Sequence, residues 1–143
     1  MNDYLNVIRN NYANFTGRAR RREYWMFQLA NAVVLLVLAA LMAVGGLNLF
    51  TGMDPSNPPA ISPLGWLFFT AYMIYNLAVF VPSLAVTVRR LHDAGYSGWM
   101  YLIVFIPLIG GITLLVFTIM ESKPESNKWG ANPKGQGVVA PRF

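Results

Sequence analysis

The sequence contains no cysteine and a single histidine among its 143 residues. The missing cysteines exclude disulfide cross-links, thiolate metal sites and cysteine nucleophiles. With one histidine, a metal site would depend on carboxylates, and the chain has only six aspartates and glutamates. We therefore expect neither a metal site nor a cofactor.

Charge is also scarce, at 12% of the residues, whereas an average soluble domain has about one quarter. The shortage is local, because residues 24–53, 55–88 and 94–120 hold no Lys, Arg, Asp or Glu. A helix that crosses a bilayer needs roughly 20 consecutive apolar residues. These windows predict an all-α integral membrane protein, a helical bundle rather than a soluble core.

Three transmembrane helices plus a short N-terminal amphipathic helix are predicted. The predicted spans cover residues 24–47, 64–88 and 98–120. The third is ambiguous, because Pro107, Gly110 and Gly111 fall near its middle. A single kinked span is favoured. The alternative is a re-entrant hairpin whose halves are each too short to cross.

The remaining segments are assigned by composition. Residues 1–15 predict the amphipathic helix, with Leu5, Ile8, Tyr12 and Phe15 on one face. It either lies on the membrane surface or packs on the end of the bundle. Residues 16–122 form the transmembrane domain, with a Pro-rich and Gly-rich linker at 48–63. Residues 123–143 predict an irregular, largely disordered tail.

Basic residues set the expected orientation. Four arginines precede the first span, at positions 18, 20, 21 and 22, and two follow the second, at 89 and 90. Because Lys and Arg are enriched in cytoplasmic loops, the N-terminus is expected in the cytoplasm. Three crossings would then place the tail outside. The net charge of +5 indicates contact with anionic lipid headgroups rather than with nucleic acid, for which no recognition module is visible.

Two stretches resemble a known family. Phe-Thr-Gly-Arg-Ala-Arg-Arg-Arg-Glu-Tyr-Trp at 15–25 is similar to the opening signature of the bacterial DUF805 family, and Arg-Arg-Leu-His-Asp-Ala-Gly-Tyr-Ser-Gly-Trp at 89–99 to its central signature. Residues 106–110 and 127–133 resemble its downstream marks. The resemblance implies a multi-pass protein of the bacterial inner membrane. It implies no activity, because the family is named for its unknown function.

A charged cluster at the cytoplasmic face is the candidate site. Its members flank the first two spans: Arg18, Arg20, Arg21, Arg22, Glu23, Arg89, Arg90, His92 and Asp93. We expect Glu23 and Asp93 to pair with arginines of the other segment and to lock the helix ends together. The cluster then has a structural role or binds lipid headgroups, and no catalytic residue is assigned.

A non-enzymatic structural, assembly or lipid-interacting role is favoured, and two alternatives stay open. An oligomeric transporter or channel subunit would use Asn76, Thr70 and Thr87, which are polar groups in the second span. A membrane enzyme acting on lipid headgroups would use His92, Asp93 and the arginines, but neighbouring loop residues rarely orient one another and no nucleophile is evident. A homo-oligomer or a membrane-protein partner fits either assembly or transport.

Overall fold

The computed structural model describes residues 2–45 and 62–135, and within them all regular structure is helical. The helices are α1 (Asn2–Asn10), α2 (Arg21–Val44), α3 (Pro63–Asp93) and α4 (Ile109–Ile119), with a 3-10 helix at Gly98–Phe105 between the last two. Most of the predicted linker at 48–63 and the end of the tail lie outside the described residues. The chain divides into two compact units, Met1–Gln28 with Val81–Phe143, and Leu29–Phe80.

Helices α2 and α3 are long and apolar enough to cross a membrane, with 24 and 31 residues. Both leave large apolar side chains uncovered by protein: Leu36 is 70% exposed and Leu77 is 75% exposed. A soluble helix of this length would hide such a face in a core, so lipid is the medium that suits these surfaces. The first two predicted spans are therefore present as helices, with α3 extending through Asp93.

The Leu29–Phe80 unit is held by polar and close backbone contacts between α2 and α3. The Tyr75 hydroxyl donates to Asn31 Oδ1 at 2.6 Å. Near the loop, a Cβ on Gly45 would lie 2.8 Å from the Gly65 Cα, so this approach requires glycine. Asn76, the polar group in the middle of α3, donates to Tyr72 O of its own helix at 2.8 Å.

Helix α1 is shorter than predicted and uses a different face. It ends at Asn10, and Tyr12 and Phe15 are exposed. Val7 is fully buried in a core with Ala19, Tyr24, Phe27 and Val86, against which Tyr4 and Ile8 also pack. The helix therefore packs against other residues of its own unit. The apolar face was predicted wrongly because it included Tyr12 and Phe15, which lie beyond the end of the helix.

The segment 98–120 is not one continuous helix, so the single kinked span predicted there is wrong. The 3-10 helix ends at Phe105, and α4 begins at Ile109 after a turn in which Leu108 has a φ of 66°. The two pieces pack against each other, and a Cβ on Gly110 would collide with the Ile103 carbonyl oxygen. Eight and eleven helical residues are each too short to cross a bilayer.

Both ends of this hairpin meet at the same place. Tyr96, just before it, stacks on Phe117, near its end, with ring centroids 4.3 Å apart. The Lys123 N–H then donates to the Asp93 carbonyl at 3.0 Å. The chain thus leaves the end of α3 and returns to it. Residues 123–135 remain irregular as predicted, but they pack against this end rather than being disordered.

Candidate functional site

The site begins with the way α3 ends. Gly95 has a φ of 91°, a left-handed conformation that glycine adopts without strain. The Tyr96 N–H donates to Leu91 O and the Gly95 N–H to His92 O, which is the pattern of a Schellman cap. The Ala19 N–H takes another terminal carbonyl, that of Arg89, at 3.0 Å. The loop before α2 is thereby fixed against the end of α3.

Asp93 is the centre of the cluster and is fully buried. Its Oδ1 accepts from Arg18 Nε at 2.9 Å. Its Oδ2 accepts from Arg90 Nη1 and from the Ser122 hydroxyl, each at 2.5 Å. One carboxylate thus joins three segments of the chain, and the predicted pairing of Asp93 with an arginine of the first segment is confirmed.

Arg18 extends the cluster into the tail. Besides Asp93, its guanidinium donates to the Lys123 carbonyl at 2.6 Å and to the Glu125 carbonyl at 2.9 Å. The side chain is only 1% exposed. Because a guanidinium has five donors in a planar fork, one arginine can hold both the carboxylate and a stretch of backbone. Arg18 therefore binds the tail to the end of α3.

Arg90 does the same for the hairpin. Its Nε donates to the Thr118 carbonyl at 3.0 Å, and its Nη2 donates to the Met120 carbonyl. Thr118 belongs to the last turn of α4 and Met120 is its C-cap residue, at the end where the helix dipole is negative and a cation is favoured. Arg18 and Arg90 carry two positive charges, whereas the Asp93 carboxylate that they share carries one negative charge. The backbone carbonyl oxygens that accept from both guanidinium groups stabilise the excess positive charge.

Glu23 and Arg89 form the second predicted pair, which is also confirmed. Arg89 Nη1 lies 2.9 Å from Glu23 Oε1, with 5% and 15% of the two side chains exposed. Among the described residues, Arg89 Nε and Nη2 have no hydrogen-bond acceptor. The contact is therefore mainly a charge pair in a dry setting, where an unpaired guanidinium would be costly.

We expect the pair to be strongly coupled in a double-mutant cycle of Glu23→Gln, Arg89→Gln and the double variant. Each single change leaves a buried charge, whereas the double change removes both charges. The coupling free energy should be about 1–3 kcal/mol, measured by thermal unfolding of detergent-solubilised protein. Strictly additive effects would contradict a direct interaction.

The other cluster arginines are at the surface. Arg20 and Arg22 are exposed and Arg21 is partly exposed. Arg22 pairs with Asp3 at 2.8 Å and Arg21 with Glu121 at 2.7 Å. The hydrogen bond from Lys134, with the charges of Lys134 and Arg21, lowers the pKa of the exposed Glu121 carboxyl. Such exposed pairs contribute little to stability. These three arginines therefore lie at the surface and do not hold the fold together.

His92 is buried and held on two sides. Its Nδ1 lies 3.2 Å from the Gly17 carbonyl oxygen. Its ring stacks on Trp129, with centroids 4.4 Å apart and planes 9° apart. The Asn127 side chain donates to the His92 carbonyl at 2.9 Å. His92 and Asp93 thus have separate partners, and no hydrogen bond joins their side chains in the part of the chain described.

Several site residues were not predicted from the sequence. Ser122, Asn127 and Trp129 all complete the cluster from the tail. The Asn-Lys-Trp-Gly stretch at 127–130 was noted as a family mark, and its aromatic and amide residues were the available signal. Arg18 and Arg90 also donate to backbone carbonyls, and such acceptors cannot be recognised from the amino-acid sequence because every residue has one. Reasoning from charge alone therefore found the ion pairs and missed what surrounds them.

The arrangement is suited to holding segments together. Its buried cations bind a carboxylate and carbonyl oxygens, and its histidine is fixed by backbone and by an indole ring. Across residues 2–45 and 62–135, no group of three or more His, Cys, Asp or Glu could hold a metal ion. The absence of enzymatic activity remains a prediction.

Comparison with known proteins places these residues in a family. Residues 12–131 match the family model described as a protein of unknown function, DUF805. The inner membrane protein YhaI of Escherichia coli K12 is 42% identical over 131 residues, which cover 92% of this chain and 94% of the relative. Its inner membrane protein YhaH is 38% identical over 134 residues, covering 94% and 98%. No solved structure is similar enough to count as a match.

The family match contains the whole charged cluster, from Arg18 to Trp129. The two relatives are named inner membrane proteins, and the chain matches each of them over almost its full length. Helices α2 and α3 supply the apolar surfaces that such a location requires. The predicted resemblance is thus confirmed. The chain is a membrane protein that belongs to the DUF805 family.

Proposed function

We propose that this protein is a non-enzymatic structural component of the bacterial inner membrane that presents a basic face to anionic lipid on the cytoplasmic side. The observation that carries the proposal is the separation of charges at one end of the molecule. Arg18, Arg89 and Arg90 are buried and paired, whereas Arg20 and Arg22 are exposed. The first set holds the fold. The second lies at the surface, where Arg22 makes an exposed pair with Asp3.

The proposed topology has two crossings and a re-entrant hairpin. Arg18, which precedes α2, contacts Asp93 at the end of α3 and the Lys123 carbonyl after the hairpin. These three positions therefore share one side of the membrane. Because arginine-rich segments favour the cytoplasm, both termini are assigned to it. This replaces the external tail that three crossings would require.

We expect reporter fusions to place residue 143 in the cytoplasm and the 48–63 linker outside. A fluorescent protein at the C-terminus should fluoresce, and alkaline phosphatase at the same position should be inactive. Phosphatase inserted after Ser56 should be active, which provides the matched control. Active phosphatase at the C-terminus would overturn the topology and, with it, the cytoplasmic basic face.

The two other functions gain no support from the contacts of their candidate residues. Thr70, Asn76 and Thr87 donate to carbonyls of their own helix, at Trp66, Tyr72 and Ser83. Such bonds satisfy the polar groups within their own apolar helix, so these residues do not need to line a transport pathway. For an enzyme, the Asp93 carboxylate is already occupied by two guanidinium groups and a hydroxyl. The structural role is therefore the one that the contacts support.

A further inference from the structure

An apolar groove lies beside the charged cluster, within the same unit. One wall is a face of α3 formed by Leu84, Val88 and His92, which are four residues apart and so lie in line. The other wall is the 3-10 helix, where Trp99 and Phe105 are six residues apart and share a side. The open groove has a volume of about 610 Å³, within the range of sites for small ligands.

The groove changes from polar to apolar along its length. Its polar residues His92 and Gly98 are adjacent, and from them the lining continues along α3 to Leu84 and along the 3-10 helix to Phe105. Eight residues of α-helix rise about 12 Å. Six residues of 3-10 helix also rise about 12 Å. Both walls therefore run the same distance from a polar to an apolar end, which is the shape that an amphiphile fits.

His92 offers an acceptor at the polar end. Because the Gly17 carbonyl can only accept, Nδ1 carries a proton, and Nε2 of the neutral ring is left as an acceptor. A Cβ on Gly98 would lie 3.3 Å from Nε2 and 2.8 Å from Val88 Cγ1. The missing side chain at Gly98 thus lets the start of the 3-10 helix lie close to this ring, and His92 itself lines the groove. A ligand group that donates, such as a hydroxyl, would satisfy Nε2.

Cations flank the same end. Lys128 Nζ lies 4.5 Å from the centroid of the Trp129 ring, and Trp129 lines the groove. On its other side Trp129 borders a polar depression that also contains Lys123 and Glu125. The charge beside the groove is thus two lysines against one carboxylate. An anionic headgroup would find net positive charge there.

We propose that this groove binds one anionic glycerophospholipid whose headgroup carries a free hydroxyl. One acyl chain lies between the walls, the hydroxyl donates to His92 Nε2, and the phosphate lies near Lys128. The inference rests on the proposed function and adds to it a single occupied site. The exposed arginines attract many lipids loosely, whereas the groove holds one.

The test is fluorescence quenching by lipids with brominated acyl chains, using the full chain in phosphatidylcholine vesicles. Trp25→Phe and Trp66→Phe leave Trp99 and Trp129, both of which line the groove. Brominated phosphatidylglycerol should quench at about fivefold lower concentration than brominated phosphatidylmethanol, an anionic phosphodiester that lacks the hydroxyl, as one hydrogen bond would provide. In the same background, His92→Phe should remove that difference.

A filled groove provides the second measurement. Leu84→Phe should abolish the preferential quenching, whereas Leu77→Phe, at an exposed position on the same helix, should preserve it. The preference should also survive high salt, which screens exposed charges. Equal quenching by both lipids, or no effect of Leu84→Phe, would overturn the groove site. If the basic face is not cytoplasmic, the fusion experiment fails while the quenching preference persists, so the two failures are distinguishable.

Discussion

Asp93→Asn should destabilise the protein severely, because it removes the carboxylate that Arg18 and Arg90 share. The carboxylate is fully buried and accepts from Arg18, Arg90 and Ser122. An amide has no charge, so two buried guanidinium groups would be left without a counter-ion. Removing one partner of a buried ion pair costs about 3–5 kcal/mol. We expect severe loss of membrane abundance and a much lower thermal midpoint in detergent.

Asp3→Asn is the matched control for this change. It removes the same carboxylate from a pair with Arg22, whose side chain is 80% exposed. Exposed pairs contribute about 0.2–1 kcal/mol, so the thermal midpoint should hardly move. If both variants lost the same stability, the buried cluster would not be what holds this end of the protein together.

Gly110→Ala should disrupt the hairpin. A Cβ there would collide with the Ile103 carbonyl oxygen and lie 2.9 Å from the Val104 Cα, so backbone rather than a movable side chain must give way. Overpacking of this kind costs about 1–3 kcal/mol. The change should lower the thermal midpoint and expose the hairpin to added protease.

Gly111→Ala tests the same helix without the collision. Its added Cβ meets nothing within 4 Å. Because alanine favours a helix interior over glycine by about 0.5–1 kcal/mol, this variant should be slightly more stable. A stability loss for Gly110→Ala together with a stability gain for Gly111→Ala would indicate that α4 lies close to the 3-10 helix at Gly110. Equal effects would contradict the packing of α4 on the 3-10 helix.

Much of the fold could be predicted because lipid imposes strong demands on composition. The uncharged windows in the first two spans correspond to α2 and α3, since a bilayer tolerates few ionised groups. The pairing of Glu23 and Asp93 with arginines of the other segment could also be predicted, because few opposite charges are available beside these helix ends. In a sequence with few charged residues, each charged side chain has few possible ion-pair partners.

The course of the hairpin could not be predicted in this way, because an apolar segment has the same composition whether it crosses or returns. What decides its path is a set of contacts distant in sequence, such as Arg90 with the carbonyls of Thr118 and Met120. Those acceptors are backbone groups and carry no residue-specific signal. The inward face of α1 was missed for a related reason, since Val7 is buried by Phe27 and Val86 from other segments.

The reach of Arg18 has a consequence for biosynthesis. Its partners extend from Asp93 to the carbonyls of Lys123 and Glu125, so its donors are satisfied only after nearly all of the chain has left the ribosome. The hydrogen bonds of this end therefore cannot be completed before that point. A chain that stops before residue 123 would lack the two tail carbonyls and would leave the Arg18 guanidinium, among these partners, with acceptors on Asp93 alone.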